Sequence, residues 1–71
     1  MTVTAQQMEK LLQGEYVFTQ WAFSMLLTRL KTAYAASPGQ ANLEKCVGEI
    51  NTFLEKYQAI MAQDFAVIQN I

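Results

Sequence analysis

The sequence contains no histidine and a single cysteine, Cys46. A structural zinc site needs a cluster of Cys and His ligands, and an internal disulfide needs two cysteines, so the composition excludes both. We expect no basic residue to be positioned so as to lower the pKa of the Cys46 thiol, and we interpret Cys46 as a small apolar filler. We expect a protein of a reducing, cytoplasmic compartment that carries no metal ion and no cofactor.

Charged residues and long apolar runs are also scarce. Only 15% of the 71 residues are charged, the net charge is -1, and the five basic residues are scattered, so we expect no nucleic-acid partner. The longest apolar stretch runs from Trp21 to Leu27 across Ser24. It is far shorter than the roughly 20 residues that span a bilayer, and the first residues lack a signal-peptide pattern. We expect no membrane insertion.

No group of residues indicates catalysis. The carboxylates fall mainly on helix faces that read as solvated, and no nucleophile has a base beside it. No glycine-rich phosphate loop is present. The sequence therefore predicts a protein that is not an enzyme, with no catalytic residues.

Proline and glycine are rare enough to mark the boundaries of the secondary structure. Thr4 followed by Gln7 forms a capping-box pattern at the start of a helix, and Ser37-Pro38-Gly39-Gln40 is the one strong break. This predicts an all-α single domain over residues 1–71. Helix one covers about 5–36, the turn about 37–40 and helix two about 41–70, and together they form an antiparallel helical hairpin.

Apolar residues follow a three-and-four spacing along both predicted helices, and they are too numerous for one contact face. Folding the hairpin about Pro38 brings Phe23 near Phe53 and leaves further apolar side chains uncovered. A four-helix bundle would cover them, formed either by a homodimer or by one hairpin on the helices of another protein. The predicted partner interface consists of Leu11, Phe18, Trp21, Met25, Phe53 and Ile60.

Several residues allow two interpretations. Trp21 is either an interface anchor or lies flat along its own hairpin. Gly14 either permits a close helix approach or is a weak point in helix one. Thr19 and Asp64 interrupt apolar faces. In one interpretation they are structural: Thr19 bonds to Tyr57 or to its own helix backbone, and Asp64 pairs with Lys10. In the other, such polar residues fix the register or the choice of partner.

A family resemblance adds an expectation about function. The opening Met1-Thr2, the segment Met8-Glu9-Lys10-Leu11-Leu12, the two-helix length and the single turn resemble the small co-chaperones of type III secretion needle subunits. In that family a hairpin joins a tetratricopeptide-like chaperone to hold the needle subunit unpolymerised. The ending Ile68-Gln69-Asn70-Ile71 resembles the needle subunits themselves, but the turn lacks the second proline and the Asn or Asp usual in them.

We therefore expect a non-enzymatic helical interaction module, foremost a co-chaperone that binds a tetratricopeptide-like chaperone or a needle subunit. The alternative is a self-assembling structural hairpin, as a filament subunit or a homodimer. An immunity or antitoxin-like inhibitor is neither supported nor excluded by the residues.

Overall fold

Four helices make up the chain in the computed structural model, which describes all 71 residues. They are α1 (Ala5–Gln13), α2 (Trp21–Ala36), α3 (Gln40–Lys56) and α4 (Gln58–Gln69), and no strand is present. The predicted all-α class is confirmed. The two-helix hairpin is wrong, because each predicted long helix is divided into two. A straight helix of thirty residues would measure about 45 Å, whereas the longest dimension of the molecule is 31 Å.

The first break begins at Gly14. The predicted capping box is confirmed, with the Thr4 hydroxyl and the Gln7 side chain both bonded across the first turn of α1. At the other end, the Gly14 N–H donates to the Lys10 carbonyl, and the chain then becomes extended (φ -94°, ψ 178°). A Cβ at position 14 would lie 2.6 Å from Cε2 of Tyr16, so the absent side chain makes room for that ring.

The buried carboxylate of Asp64 bonds to the backbone at the end of this loop, directly before α2 begins. Its Oδ1 accepts hydrogen bonds from the Thr19 N–H (2.8 Å) and hydroxyl (2.9 Å), and its Oδ2 accepts one from the Gln20 N–H (2.9 Å). Gln20, the N-cap of α2, makes no side-chain cap bond of its own. Asp64 thus bonds to the N–H of the N-cap residue and of the residue before it, and it places a carboxylate near the positive end of the helix dipole.

These bonds correct two predictions made from the sequence. Asp64 does not pair with Lys10, whose Nζ instead donates to the carbonyl of Ile71 at 2.7 Å. Thr19 bonds to Asp64 and not to Tyr57. A polar residue that interrupts the apolar pattern of α4 therefore connects α4 to the loop between α1 and α2.

The second break lies at Tyr57, which is both the C-cap of α3 and the N-cap of α4. Its backbone (φ -115°, ψ 26°) leaves the helical region, while its N–H still donates to the Phe53 carbonyl and its own carbonyl accepts from Ile60. The Tyr57 ring packs on Phe53 with ring centroids 4.6 Å apart. The predicted second helix is therefore bent at a residue that carries no proline or glycine signal.

The tight turn between α2 and α3 lies at residues 37–39, within the predicted range. Gly39 adopts φ 135°, a region that favours glycine, and α3 begins directly after it. The N-cap is thus Gly39 and not Ser37, whose hydroxyl accepts a hydrogen bond from the Asn42 side chain at 3.0 Å. This short connection makes α2 and α3 a helical hairpin, and α1 packs against both.

Buried side chains from all four helices form one core. Its fully buried members include Met8, Leu11, Phe23, Ile50, Leu54, Met61 and Ile68. The predicted contact between Phe23 and Phe53 is confirmed, with ring centroids 5.6 Å apart. One chain therefore builds from its own helices the four-helix core that the sequence analysis expected from two molecules.

The N-terminal segment is fixed to α3 by a pair of hydrogen bonds. The Val3 N–H donates to Oδ1 of Asn51 at 2.7 Å, and Nδ2 of Asn51 donates to the Val3 carbonyl at 3.1 Å. The Val3 side chain is almost completely buried. Segments outside the helices thus contribute to the core.

Candidate protein-docking surface

The six residues of the predicted partner interface separate into two groups in the structure. Trp21, Met25 and Ile60 are exposed by 75%, 53% and 53%. Leu11 and Phe18 are buried in the core, and Phe53 is half-buried against it. Only the first group is open to a partner, and the surface is smaller than the sequence predicted.

The loop between α1 and α2 explains why Leu11 and Phe18 lie inside. Because the chain leaves the helical path at Gly14, α1 folds back against α2, α3 and α4 and buries Leu11 there. Phe18 turns inward from the loop and meets Phe23 edge-on, with ring centroids 4.9 Å apart. Side chains that are surplus on a straight helix are covered by the chain itself once that helix is broken.

Helix α2 holds Trp21 and Met25 on the side away from the core. Phe23, Leu27 and Leu30 form its buried face. At 100° per residue, Trp21 and Met25 point almost directly opposite to that face. The helix axis is fixed at its start by the Asp64 bonds to Thr19 and Gln20, so the indole is carried on a rigid element.

The exposed stripe of α2 continues beyond the two large side chains. Further along the helix, the same side carries the small exposed residues Thr28, Thr32 and Ala35. Together with Trp21 and Met25 they form what we call the outer face of α2. These small residues carry too little apolar surface to be recognised as part of an interface in the sequence. Their spacing of four, three, four and three from Trp21 was the available signal.

No member of the outer face is charged, and the charged neighbours are engaged within the chain. The only charged residues of α2 are Arg29, which pairs with Glu49 of α3 at 2.7 Å, and Lys31, whose Nζ donates to the Gly14 carbonyl at 2.8 Å. In α4 the sole charged residue is Asp64, which is buried. A partner would meet an uncharged stripe bordered by the Arg29–Glu49 pair, whose side chains are 60% and 47% exposed.

Other exposed apolar side chains lie near the ends of the helices. Val17, in the loop before α2, is 92% exposed, and Ile60 lies one helical turn before Asp64 on α4. Because Asp64 binds the residues that immediately precede Trp21, this part of α4 belongs to the same end of the molecule as the start of α2. Val17 carried no periodic signal in the sequence and was missed.

The single cysteine, Cys46, is buried. Burial, and secondarily the charge of Glu49, raise the pKa of the Cys46 thiol above its ordinary value of 9.0, against a smaller lowering effect of Arg29. A thiol shifted in this direction is a poor nucleophile at neutral pH. No group of three or more His, Cys, Asp or Glu side chains lies close enough to hold a metal ion.

The one depression beside Cys46 is shallow and of mixed character. It has a volume of about 310 Å³ and lies between α2 and α3, where Tyr34, Asn42 and Lys45 contribute to its walls. None of the four helices combines the length and hydropathy that a membrane crossing requires. Comparison of the chain with models of protein families, with curated proteins and with solved structures gives no match.

Proposed function

We propose that this protein is a helical protein-interaction module that docks through the outer face of α2. The observation that supports the proposal is the exposure of Trp21 and Met25 on one uncharged face of a helix whose opposite face is fully used by the core. Large contiguous apolar surface on a small domain is a mark of an interaction site. Trp is the residue most enriched among the side chains that dominate interface energies.

The affinity would come from removing the indole and the thioether from water. A Trp side chain can bury up to about 250 Å², so Trp21 at 75% exposure leaves on the order of 190 Å² to cover. At about 25 cal/mol per Å², that area alone represents roughly 4–5 kcal/mol before the costs of association. One side chain could therefore dominate the interface.

A narrower form of the proposal is a cytoplasmic co-chaperone of type III secretion needle subunits. Its support is the resemblance of Met1-Thr2 and of residues 8–12 to that family. The two-helix hairpin that formed part of the resemblance is replaced by a four-helix domain. The other narrower form is self-assembly, in which the partner is a further copy of the chain.

The proposal is tested with a photo-crosslinking amino acid at position 25, introduced in cells that express the chain naturally. Irradiation is expected to give discrete protein adducts whose other component is identified by mass spectrometry. The matched control carries the same amino acid at Thr52, an exposed position on α3. Adducts at position 25 that are absent at position 52 support the module, and an adduct containing a needle subunit or its chaperone supports the co-chaperone. Absence of any specific adduct at position 25 contradicts the proposal.

A further inference from the structure

The outer face of α2 has a pattern of side-chain sizes that is complementary to itself. Its members occur at spacings of four, three, four and three, with the two large residues, Trp21 and Met25, at one end and the small residues Thr32 and Ala35 at the other. When two such helices run antiparallel, the large end of each meets the small end of the other. Alternation of large and small residues across facing positions is how helix interfaces reach close packing.

We propose that a second copy of this chain covers the outer face, through an antiparallel pairing of α2 with α2 about a two-fold axis near Thr28. This inference rests on the proposed function and names its partner. In this register Trp21 faces Ala35 of the second copy, Met25 faces Thr32, and Thr28 faces its own equivalent. An isologous contact of this kind brings the same patch of both subunits together.

The charge distribution agrees with a second copy as the occupant. A two-fold axis brings identical groups together, so a charge on the axis would meet an equal charge. The outer face itself has none. Beside it, Arg29 is 60% exposed and is neutralised by its pairing with Glu49, and Lys31 donates to the Gly14 carbonyl of its own chain. Nothing on this face would select a charged partner.

The available area indicates a dimer of modest strength. Helix α2 has 16 residues and is therefore about 24 Å long. We take a contact along its length to cover about a tenth of the 4565 Å² surface of the chain, the share usual for an interface on a small protein, or about 450 Å² per copy. The total of about 900 Å² is below the roughly 1,200 Å² at which stable interfaces begin, so the contact belongs with weak, transient ones, and we expect a dissociation constant in the micromolar range.

Sedimentation equilibrium on the purified chain tests the pairing. The expected result is a reversible monomer–dimer equilibrium with its midpoint between about 1 and 100 μM. Thr28→Arg places two like charges on the axis and is expected to weaken the dimer at least 30-fold, whereas Thr52→Arg, the same change on exposed α3, leaves it unaltered. A wild-type chain that stays monomeric at about 500 μM, or a dimer that survives Thr28→Arg, overturns the proposal.

The register is tested by exchanging the large and small residues. Trp21→Ala and Ala35→Trp are each expected to weaken the dimer, the first by removing the anchor and the second by opposing two indoles. The double variant restores a large residue opposite a small one and is expected to bind at least tenfold more tightly than either single variant. Both positions are exposed, so circular dichroism should show the helical content of the wild type in all three. No recovery in the double variant contradicts this register.

These outcomes differ from those that test the proposed function. A monomer whose position 25 crosslinks to a different protein refutes the second copy and leaves the interaction module standing. A monomer without specific adducts refutes both. An adduct of twice the mass of the chain that also requires Trp21 supports both.

Discussion

Removing the carboxylate of Asp64 is expected to disconnect the start of α2 from α4. Asp64→Ala deletes three hydrogen bonds, from the Thr19 N–H, the Thr19 hydroxyl and the Gln20 N–H. Hydrogen bonds to charged groups contribute about 1.5–3 kcal/mol each, and a negative charge near a helix N-terminus contributes about 0.3–1 kcal/mol. The three bonds share one carboxylate and are not additive, and Thr19 can be hydrated after the change. We expect a loss of about 2–3 kcal/mol in the free energy of unfolding.

A loss of that size is large for this domain. Cores of 70 residues seldom supply more than about 3–5 kcal/mol, so the variant should be only marginally folded. Asp64→Asn keeps one acceptor oxygen for Thr19 but turns an amide NH₂ group toward the Gln20 N–H, and we expect it to lose about 1–2 kcal/mol.

Urea unfolding followed by circular dichroism measures both effects. The control is Gln63→Ala, the exposed neighbour of Asp64 in α4, which should remain within about 0.5 kcal/mol of the wild type. Hydrogen exchange adds a local readout, because the Ser24 N–H that bonds to the Gln20 carbonyl should lose protection in Asp64→Ala. An unfolding free energy of Asp64→Ala within about 0.5 kcal/mol of the wild type would refute this role of Asp64.

Three further predictions concern the loop, the N-terminal segment and the cysteine. Gly14→Ala should destabilise the protein by about 1–3 kcal/mol in urea unfolding, because the new Cβ would lie 2.6 Å from the Tyr16 ring. Gly48→Ala, in open space within α3, should instead stabilise it by about 0.5–1 kcal/mol. The opposite order of stabilities would contradict the geometry. Asn51→Ala should lower the free energy of unfolding by about 2 kcal/mol and make the N-terminal segment sensitive to proteolysis, because it deletes both hydrogen bonds to Val3. Undiminished resistance to proteolysis would contradict the role of these two bonds. Burial raises the pKa of the Cys46 thiol, so its contribution to stability is complete below pH 9.0 and is lost as the pH rises through the higher pKa of the folded state. In a pH series of unfolding curves, Cys46→Ala should lack this loss. An equal loss of stability in both proteins would contradict the assignment.

Much of the core could be predicted from the sequence because it depends on local periodicity. Leu43, Ile50 and Leu54 are buried, as the three-and-four spacing of apolar residues along predicted helix two indicates. The Thr4 capping box and the turn at Pro38 are also encoded by neighbouring residues. These features need no information from distant parts of the chain.

Neither of the two helix breaks is signalled strongly enough by the residues around it to be predicted. A glycine within a helix costs only about 1 kcal/mol, so Gly14 alone does not end one. Here the Tyr16 ring occupies the space beside Gly14, and Asp64, more than forty residues away, bonds to the backbone at the start of α2. At Tyr57 no local signal exists.

Of the six residues predicted at a partner interface, three lie exposed on the surface. Trp21, Met25 and Ile60 are exposed because the inner positions of their helices already fill the core. Counting apolar stripes on straight helices also assigned Leu11 and Phe18 to the surface. Each lies beside a break, where the chain changes direction and covers them.

The central claim is that α2 packs on its own chain through one face and presents Trp21 to a second molecule on the other. Trp21 is the only tryptophan, so quenching of its fluorescence by iodide, measured from nanomolar to several hundred micromolar protein, reads this surface directly. The account predicts strong quenching at low concentration, with protection and a shift of emission to shorter wavelength as the protein associates. Protection already present in the dilute chain would contradict the fold, and undiminished quenching at the highest concentration would contradict the dimer.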